Sequence, residues 1–137
     1  MNRQLMQTLF EKYPRLYCGR KMSLQENLMP FGFECGDGWF GLIDRLSDEI
    51  ETECQRLLRE GELKENDLPI AVQVKEKFGT LSFYMSYTTE AMLGMINKAA
   101  AKSAVTCEKC GGRGVLNIEG WWSVRCEKCR NAPRADV

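Results

Sequence analysis

The sequence has seven cysteines and no histidine, so any metal or nucleophilic chemistry has to run through sulfur or carboxylate. Four of the seven form two pairs, Cys107/Cys110 and Cys126/Cys129. Two residues separate the members of each pair, and fifteen separate the pairs. A doubled C-x-x-C at that distance is the spacing of a four-thiolate zinc site. Two intervening residues let one turn present both sulfurs to a single ion, and four thiolates suit tetrahedral zinc. Gly111 and Gly112 let the backbone curl so that amides approach the sulfurs. Disulfides at these positions would require an oxidising compartment, which nothing in the sequence indicates. A redox-active pair would need one C-x-x-C and not two. One zinc ion held by four protein ligands leaves no position for water or substrate. Its expected role is therefore structural, tying down a segment too small for its own core.

The remaining chemistry-bearing residues are explained by simpler roles. Without histidine there is no Ser–His or Cys–His pair and no imidazole base. Cys54 falls on the apolar face of an expected helix and reads as a packing group. Cys35, in Glu34-Cys35-Gly36-Asp37-Gly38, precedes an expected helix N-terminus that would lower its pKa. It has no base to activate it. Cys18 and Cys35 lack two further ligands for a second metal site. Glu34 and Asp37 could pair, but Asp37 is accounted for as a helix cap. Asp67, Gln73 and Lys75 carry the residue types of a metal-dependent nuclease, yet crowd into one strand entry where such a site draws on neighbouring strands. No catalytic residue is assigned, and the protein is expected not to be an enzyme.

Trp121 and Trp122, with Arg113 and Arg125 nearby in sequence, are the expected partner-binding residues. They could stack bases beside phosphate contacts, or anchor a protein interface, where tryptophan and arginine are enriched. Neighbouring strand residues face opposite ways, so one tryptophan is expected in the ribbon's own core and the other in solvent.

Several elements must position these groups. Leu5, Met6, Leu9, Phe10 and Tyr13 give a helix over Arg3–Tyr13, ended by Pro14. Residues 14–36 form a long irregular stretch, packed down by Leu24, Leu28, Met29, Phe31 and Phe33. Asp37 is the expected N-cap of a second helix whose apolar face runs through Trp39, Leu42, Ile43, Leu46, Ile50, Cys54, Leu57 and Leu58; Gly61 ends it. Leu68–Lys77 and Leu81–Tyr87 alternate as strands of a hairpin turned at Gly79. Ile70, Val72 and Val74 are expected on one face of the first, and Leu81, Phe83, Met85 and Tyr87 on one face of the second. Thr88 or Thr89 caps a third helix to about Ser103, with Met92, Met95, Ile96 and Ala99 inward and Lys98 and Lys102 in the last turn. Val115–Ile118 and Trp121–Val124 make two short strands around Glu119-Gly120. A lone hairpin is marginal, so helices must cover it or the 14–36 loop must add a strand. The class is α+β, helices on a small antiparallel sheet followed by a C-terminal zinc ribbon. Residues 1–104 form the first domain and 105–137 the ribbon module.

Nineteen basic and nineteen acidic groups cancel over 137 residues, so net charge indicates no polyanionic partner. Residues 107–137 carry +2, from six basic groups including Arg134 and four acidic ones including Asp136, which leaves −2 on the remainder. No apolar run approaches the roughly 20 residues of a membrane span, and residues 1–5 lack a signal's apolar stretch. A cytoplasmic location is expected, with no membrane partner.

Three stretches carry a resemblance to a known family. They are Phe31-Gly32-Phe33-Glu34-Cys35-Gly36-Asp37-Gly38-Trp39-Phe40, then Val74-Lys75-Glu76-Lys77-Phe78-Gly79-Thr80-Leu81-Ser82-Phe83-Tyr84, then the paired-cysteine tail with Gly120-Trp121-Trp122. Together they resemble a family of small, uncharacterised phage and prophage proteins, over most of residues 28–130. The resemblance implies an origin in phage and a host-cell cytosol as the place of action. Ser82 stands where a basic residue is expected, which weighs against a phosphate-contacting sheet. The expected function is stoichiometric binding of a host protein or nucleoprotein complex, such as inhibition of a bacterial defence system. The alternative is a nucleic-acid-binding zinc ribbon.

Overall fold

The computed structural model describes residues 1–131; Arg134 and Asp136, counted in the tail's charge, lie outside the described residues. The chain is α+β, with a small sheet covered by helices and a C-terminal ribbon that gathers four cysteines.

Helix α1 (Arg3–Lys12) starts at Asn2, whose Oδ1 accepts the Leu5 amide at 2.8 Å, and stops at Tyr13 ahead of Pro14. The irregular stretch contributes a two-residue strand, β1 (Phe33–Glu34), which pairs parallel to β2 (Ala71–Lys77). This stretch is held by Leu16, Tyr17, Met29 and Phe33 in the main core and by one buried polar residue. Asn27 is buried, donating to the Ala71 carbonyl at 3.0 Å and accepting the Met29 amide at 2.7 Å. Of its expected apolar anchors, Met29 and Phe33 are buried, whereas Leu24 and Phe31 face solvent.

Helix α2 (Phe40–Arg59) begins later than Asp37 indicates. Asp37–Trp39 is a single 3-10 turn, and no side chain caps α2. Asp37 instead accepts the Asn2 amide at 2.7 Å and the Asn2 side-chain amide at 2.9 Å, so it braces the start of α1. The apolar stripe of α2 is buried as its spacing requires: Ile43, Leu46, Ile50, Cys54 and Leu57, with Trp39 beneath them. Gly61 lies at φ +71°, and the amides of Gly61 and Glu62 return to the carbonyls of Leu58 and Leu57, a Schellman ending.

β2 pairs antiparallel with β3 (Thr80–Met85). Its expected alternation fails at Val72, an extra residue between Ala71↔Met85 and Gln73↔Tyr84. This bulge shifts the phase, so Ala71 and Val74 are buried and Ile70 and Val72 only partly so. The Val72 carbonyl turns to the loop and accepts the Leu28 amide at 3.0 Å. Leu81 and Phe83 point inward as expected, while β3 ends before Tyr87, which is exposed. Helix α3 (Glu90–Ser103), capped by Thr89, packs Met92, Ile96 and Ala99 over the sheet and α2. Ser103, fully buried, accepts the Leu81 amide at 2.8 Å. No helix among the described residues is long and apolar enough to cross a membrane.

The ribbon consists of β4 (Val115–Asn117), β5 (Ser123–Arg125) and α4 (Glu127–Asn131). It is seated on the turn before α2. The Gly38 amide donates to the Glu108 carbonyl at 2.7 Å, the Gly36 amide to the Glu108 carboxylate at 2.9 Å, and Trp39 Nε1 to the Thr106 carbonyl at 2.9 Å. A Cβ on Gly38 would sit 2.2 Å from the Cys107 carbonyl oxygen, so only glycine allows this approach.

Candidate metal centre and aromatic groove

The first cysteine pair lies on a tight turn. The Gly111 amide donates to the Cys107 carbonyl at 2.9 Å and the Cys107 amide to the Gly112 carbonyl at 2.7 Å, with Gly111 at φ +81°. The second pair opens α4, where the Arg130 amide donates to the Cys126 carbonyl at 2.9 Å. Amides reach two of the sulfurs at 3.4 Å, Gly112 on Cys110 and Cys129 on Cys126. All four sulfurs lie within 4.8 Å of one another, and Cys110 and Cys126 are 3.7 Å apart. Sulfurs placed tetrahedrally about one ion at 2.3 Å are about 3.8 Å apart, so the cluster is sized for a metal.

Electrostatics favour the same conclusion. Burial alone would push the Cys107 thiol up, but the backbone amides of Cys126, Cys110 and Lys109 outweigh it and bring the thiol down to about 6. Cys126 is also lowered, first by the Cys129 amide. Cys129 is pushed up to about 12, because its proton is held in a hydrogen bond to Cys126. Cys107 and Cys126 are thus the readier thiolates and Cys129 holds its proton, an imbalance that a cation bound among them would relieve.

The other sulfurs are placed differently. Cys35 is buried, and burial pushes its thiol up to about 12 rather than down. The expected lowering by a helix N-terminus fails because α2 starts five residues later. Cys54 is raised by burial and accepts from the Arg15 guanidinium at 3.3 Å. Asp67 and Lys75 line different grooves and are not brought together, and the Asp67 carbonyl accepts the Tyr87 hydroxyl.

Trp121 and Trp122 are both outside the ribbon's core, 78% and 44% exposed. They belong to the turn ahead of β5, so strand alternation does not govern them. Val124 and Cys107 fill the interior of the ribbon instead. Trp122 meets the ring of Phe78 edge-on, with centroids 6.1 Å apart. Phe78, 71% exposed, stands at the tip of the β2–β3 hairpin, and Leu116 of the ribbon packs against the neighbouring Gly79. Phe78 and Gly79 lie at φ +52° and +86°, the two left-handed positions of a type I′ turn where Asn-Gly is the usual choice. A phenylalanine held in that conformation carries about 1–2 kcal/mol of backbone strain. The three rings flank a groove of about 590 Å³ whose other walls are Lys75, Glu76, Lys77 and Gly120.

Arg113 and Arg125 do not line this groove. Arg113 bridges Thr106 at the ribbon's base, and Arg125 sits in β5 opposite Val115, where its charge is felt by Glu108. Phe78, Lys75 and Lys77 take their place. The sequence signals only that Phe78 is exposed, as a bulky residue directly before the turn glycine of a hairpin; its meeting with the tryptophans depends on the docked ribbon. Comparison of the chain with known protein families, with curated proteins and with solved structures gives no match.

Proposed function

We propose that the protein is a non-enzymatic binding protein, stabilised by one structural zinc ion, that grips a host protein or nucleoprotein complex through the groove of Phe78, Trp121 and Trp122. The observation that carries this reading is the exposure of three large aromatic rings at one junction, one of them on a strained backbone. Contiguous exposed apolar surface of this kind marks interaction sites, strain persists where function holds it, and tryptophan anchors dominate interface energetics. Zinc follows from the donor set. Four thiolates make a closed tetrahedral shell that suits zinc and leaves no open position, so the ion supplies folding energy to the ribbon and no reactive water. The ribbon in turn sets the two tryptophans against the hairpin tip.

The resemblance to phage and prophage proteins directs the search to bacterial host proteins in the cytoplasm, with defence complexes first. The test is affinity capture from host lysate with the zinc-loaded chain and with Trp121→Ala, which removes an exposed ring and leaves the fold intact. A stoichiometric protein retained by the first and lost from the second is expected. Identical capture by both, or none by either, overturns the reading.

Lys75 and Lys77 beside the rings favour the second reading, a single-stranded nucleic acid stacked on the aromatics. Binding of that kind weakens steeply as salt rises. Absence of affinity for single-stranded DNA or RNA at low salt eliminates it.

A further inference from the structure

Beside the ribbon's seat lies a second cavity, of about 530 Å³, walled by α2, α3, Asp37–Gly38 and the turn at Cys110–Gly111. Its volume falls within the range of small-molecule sites. Part of the lining is apolar, from Leu5, Phe40, Leu42, Leu46, Met95 and Ala99. Three cations stand around it: Arg45 on α2, and Lys98 and Lys102 one turn apart on α3. None of the three forms an ion pair with a described residue, which is the common state of the cations among the described residues.

Two acidic residues also line the cavity. Both carboxylate oxygens of Asp37 are engaged by Asn2, and Glu49 lies one turn beyond Arg45 on α2, where it offsets that charge in part. Asn2 is neutral, so Asp37 keeps its charge; three cations against two carboxylates leave the lining at +1, with its positive end at the two lysines of α3. Apolar side chains and ammonium groups lining one cavity are complementary to a ligand with an apolar body and an anionic head.

We infer that this cavity binds a small organic anion, a carboxylate or phosphate on a flat apolar body, with the body on Phe40, Met95 and Ala99 and the head between Lys98 and Lys102. This site is independent of the aromatic groove. Gly41 supplies a means of blocking it: Gly41 lines the cavity, and a Cβ there would meet nothing within 4 Å. A leucine at that position fills the cavity from an exposed helix turn.

The test uses the full zinc-loaded chain, with 2-naphthoate and 1-naphthyl phosphate as probes and uncharged 2-naphthylmethanol as control, followed by calorimetry and by NMR shifts of the Met95 and Ala99 methyls. The expected result is submillimolar binding of at least one anion. The naphthoate and phosphate arms distinguish which head group is preferred. The neutral probe should bind at least about fivefold more weakly, and Lys98→Ala with Lys102→Ala should weaken anion binding about twentyfold, about fivefold for each exposed cation. Gly41→Leu should abolish binding, and Trp121→Ala should leave it unchanged. Failure of both anions to shift those methyls overturns the inference. So does equal binding of the neutral probe, full affinity in the double lysine variant or in Gly41→Leu, or loss of binding in Trp121→Ala.

Discussion

Replacing Gly38 by alanine places a methyl carbon 2.2 Å from the Cys107 carbonyl oxygen and 2.6 Å from the Gly111 amide nitrogen. Both neighbours are backbone, so no side chain can rotate away. To reach van der Waals contact the seam between ribbon and body must open by about 1 Å. The Gly38–Glu108 and Trp39–Thr106 hydrogen bonds, now 2.7 and 2.9 Å, then exceed bonding range. Each contributes about 1 kcal/mol, and more where the separated group stays buried, so Gly38→Ala should cost about 2–4 kcal/mol. At 3–4 °C per kcal/mol, roughly the expectation for this chain length, Tm falls by about 10 °C. Gly94 provides the control. It lies inside α3 with nothing within 4 Å of a built Cβ, so Gly94→Ala should stabilise by about 0.5–1 kcal/mol. Urea unfolding followed by tryptophan fluorescence measures both. Hydrogen exchange across 105–125 detects a ribbon that lifts off while the body stays folded. A Gly38→Ala protein within about 0.5 kcal/mol of wild type, with unchanged ribbon exchange, would refute the seam as described.

Further outcomes are expected elsewhere in the molecule. Cys110→Ser, or treatment with a strong chelator, should remove one equivalent of zinc by elemental analysis and raise exchange in the ribbon ahead of the body. In a Trp122→Ala background, where the edge-on ring contact is gone, Phe78→Asn should stabilise by about 1 kcal/mol in urea by relieving the left-handed phenylalanine. Burial raises the Asp44 carboxyl, but hydrogen bonds from Tyr13 and Lys12 outweigh burial and hold it below its ordinary 3.8. A carboxyl whose folded value is depressed stabilises above its unfolded pKa and loses that contribution as pH falls through the folded value. Asp44→Asn should therefore flatten the decline of stability below about pH 4 in acid titrations followed by circular dichroism.

The long apolar periodicities carried most of the fold. The stripe from Ile43 to Leu57 and the Thr89 cap of α3 need only local spacing to be recognised, and the paired cysteines announce their cluster by spacing alone. What escaped the sequence depends on contacts between distant residues. The bulge at Val72 is fixed by the loop amide of Leu28, some forty positions away, and no alternation pattern can report it. Asp37 has the type and place of a helix cap, but Asn2 competes for its carboxylate. The aromatic site was half legible. Trp121 and Trp122 draw attention by type, whereas Phe78 joins them only because the ribbon docks on the hairpin tip. Arg113 and Arg125 are near the tryptophans in sequence and apart from the groove in space.

The seam between Gly36–Trp39 and Thr106–Glu108 also has a bearing on biogenesis. Its hydrogen bonds link positions about seventy residues apart, so it cannot close on a ribosome until the ribbon segment has emerged. The body, with its helices and hairpin already made, would wait with Phe78 at its tip and no tryptophan beside it. Assembly of the aromatic groove is thus a late step in folding, since Trp121 and Trp122 reach Phe78 only when the ribbon has docked.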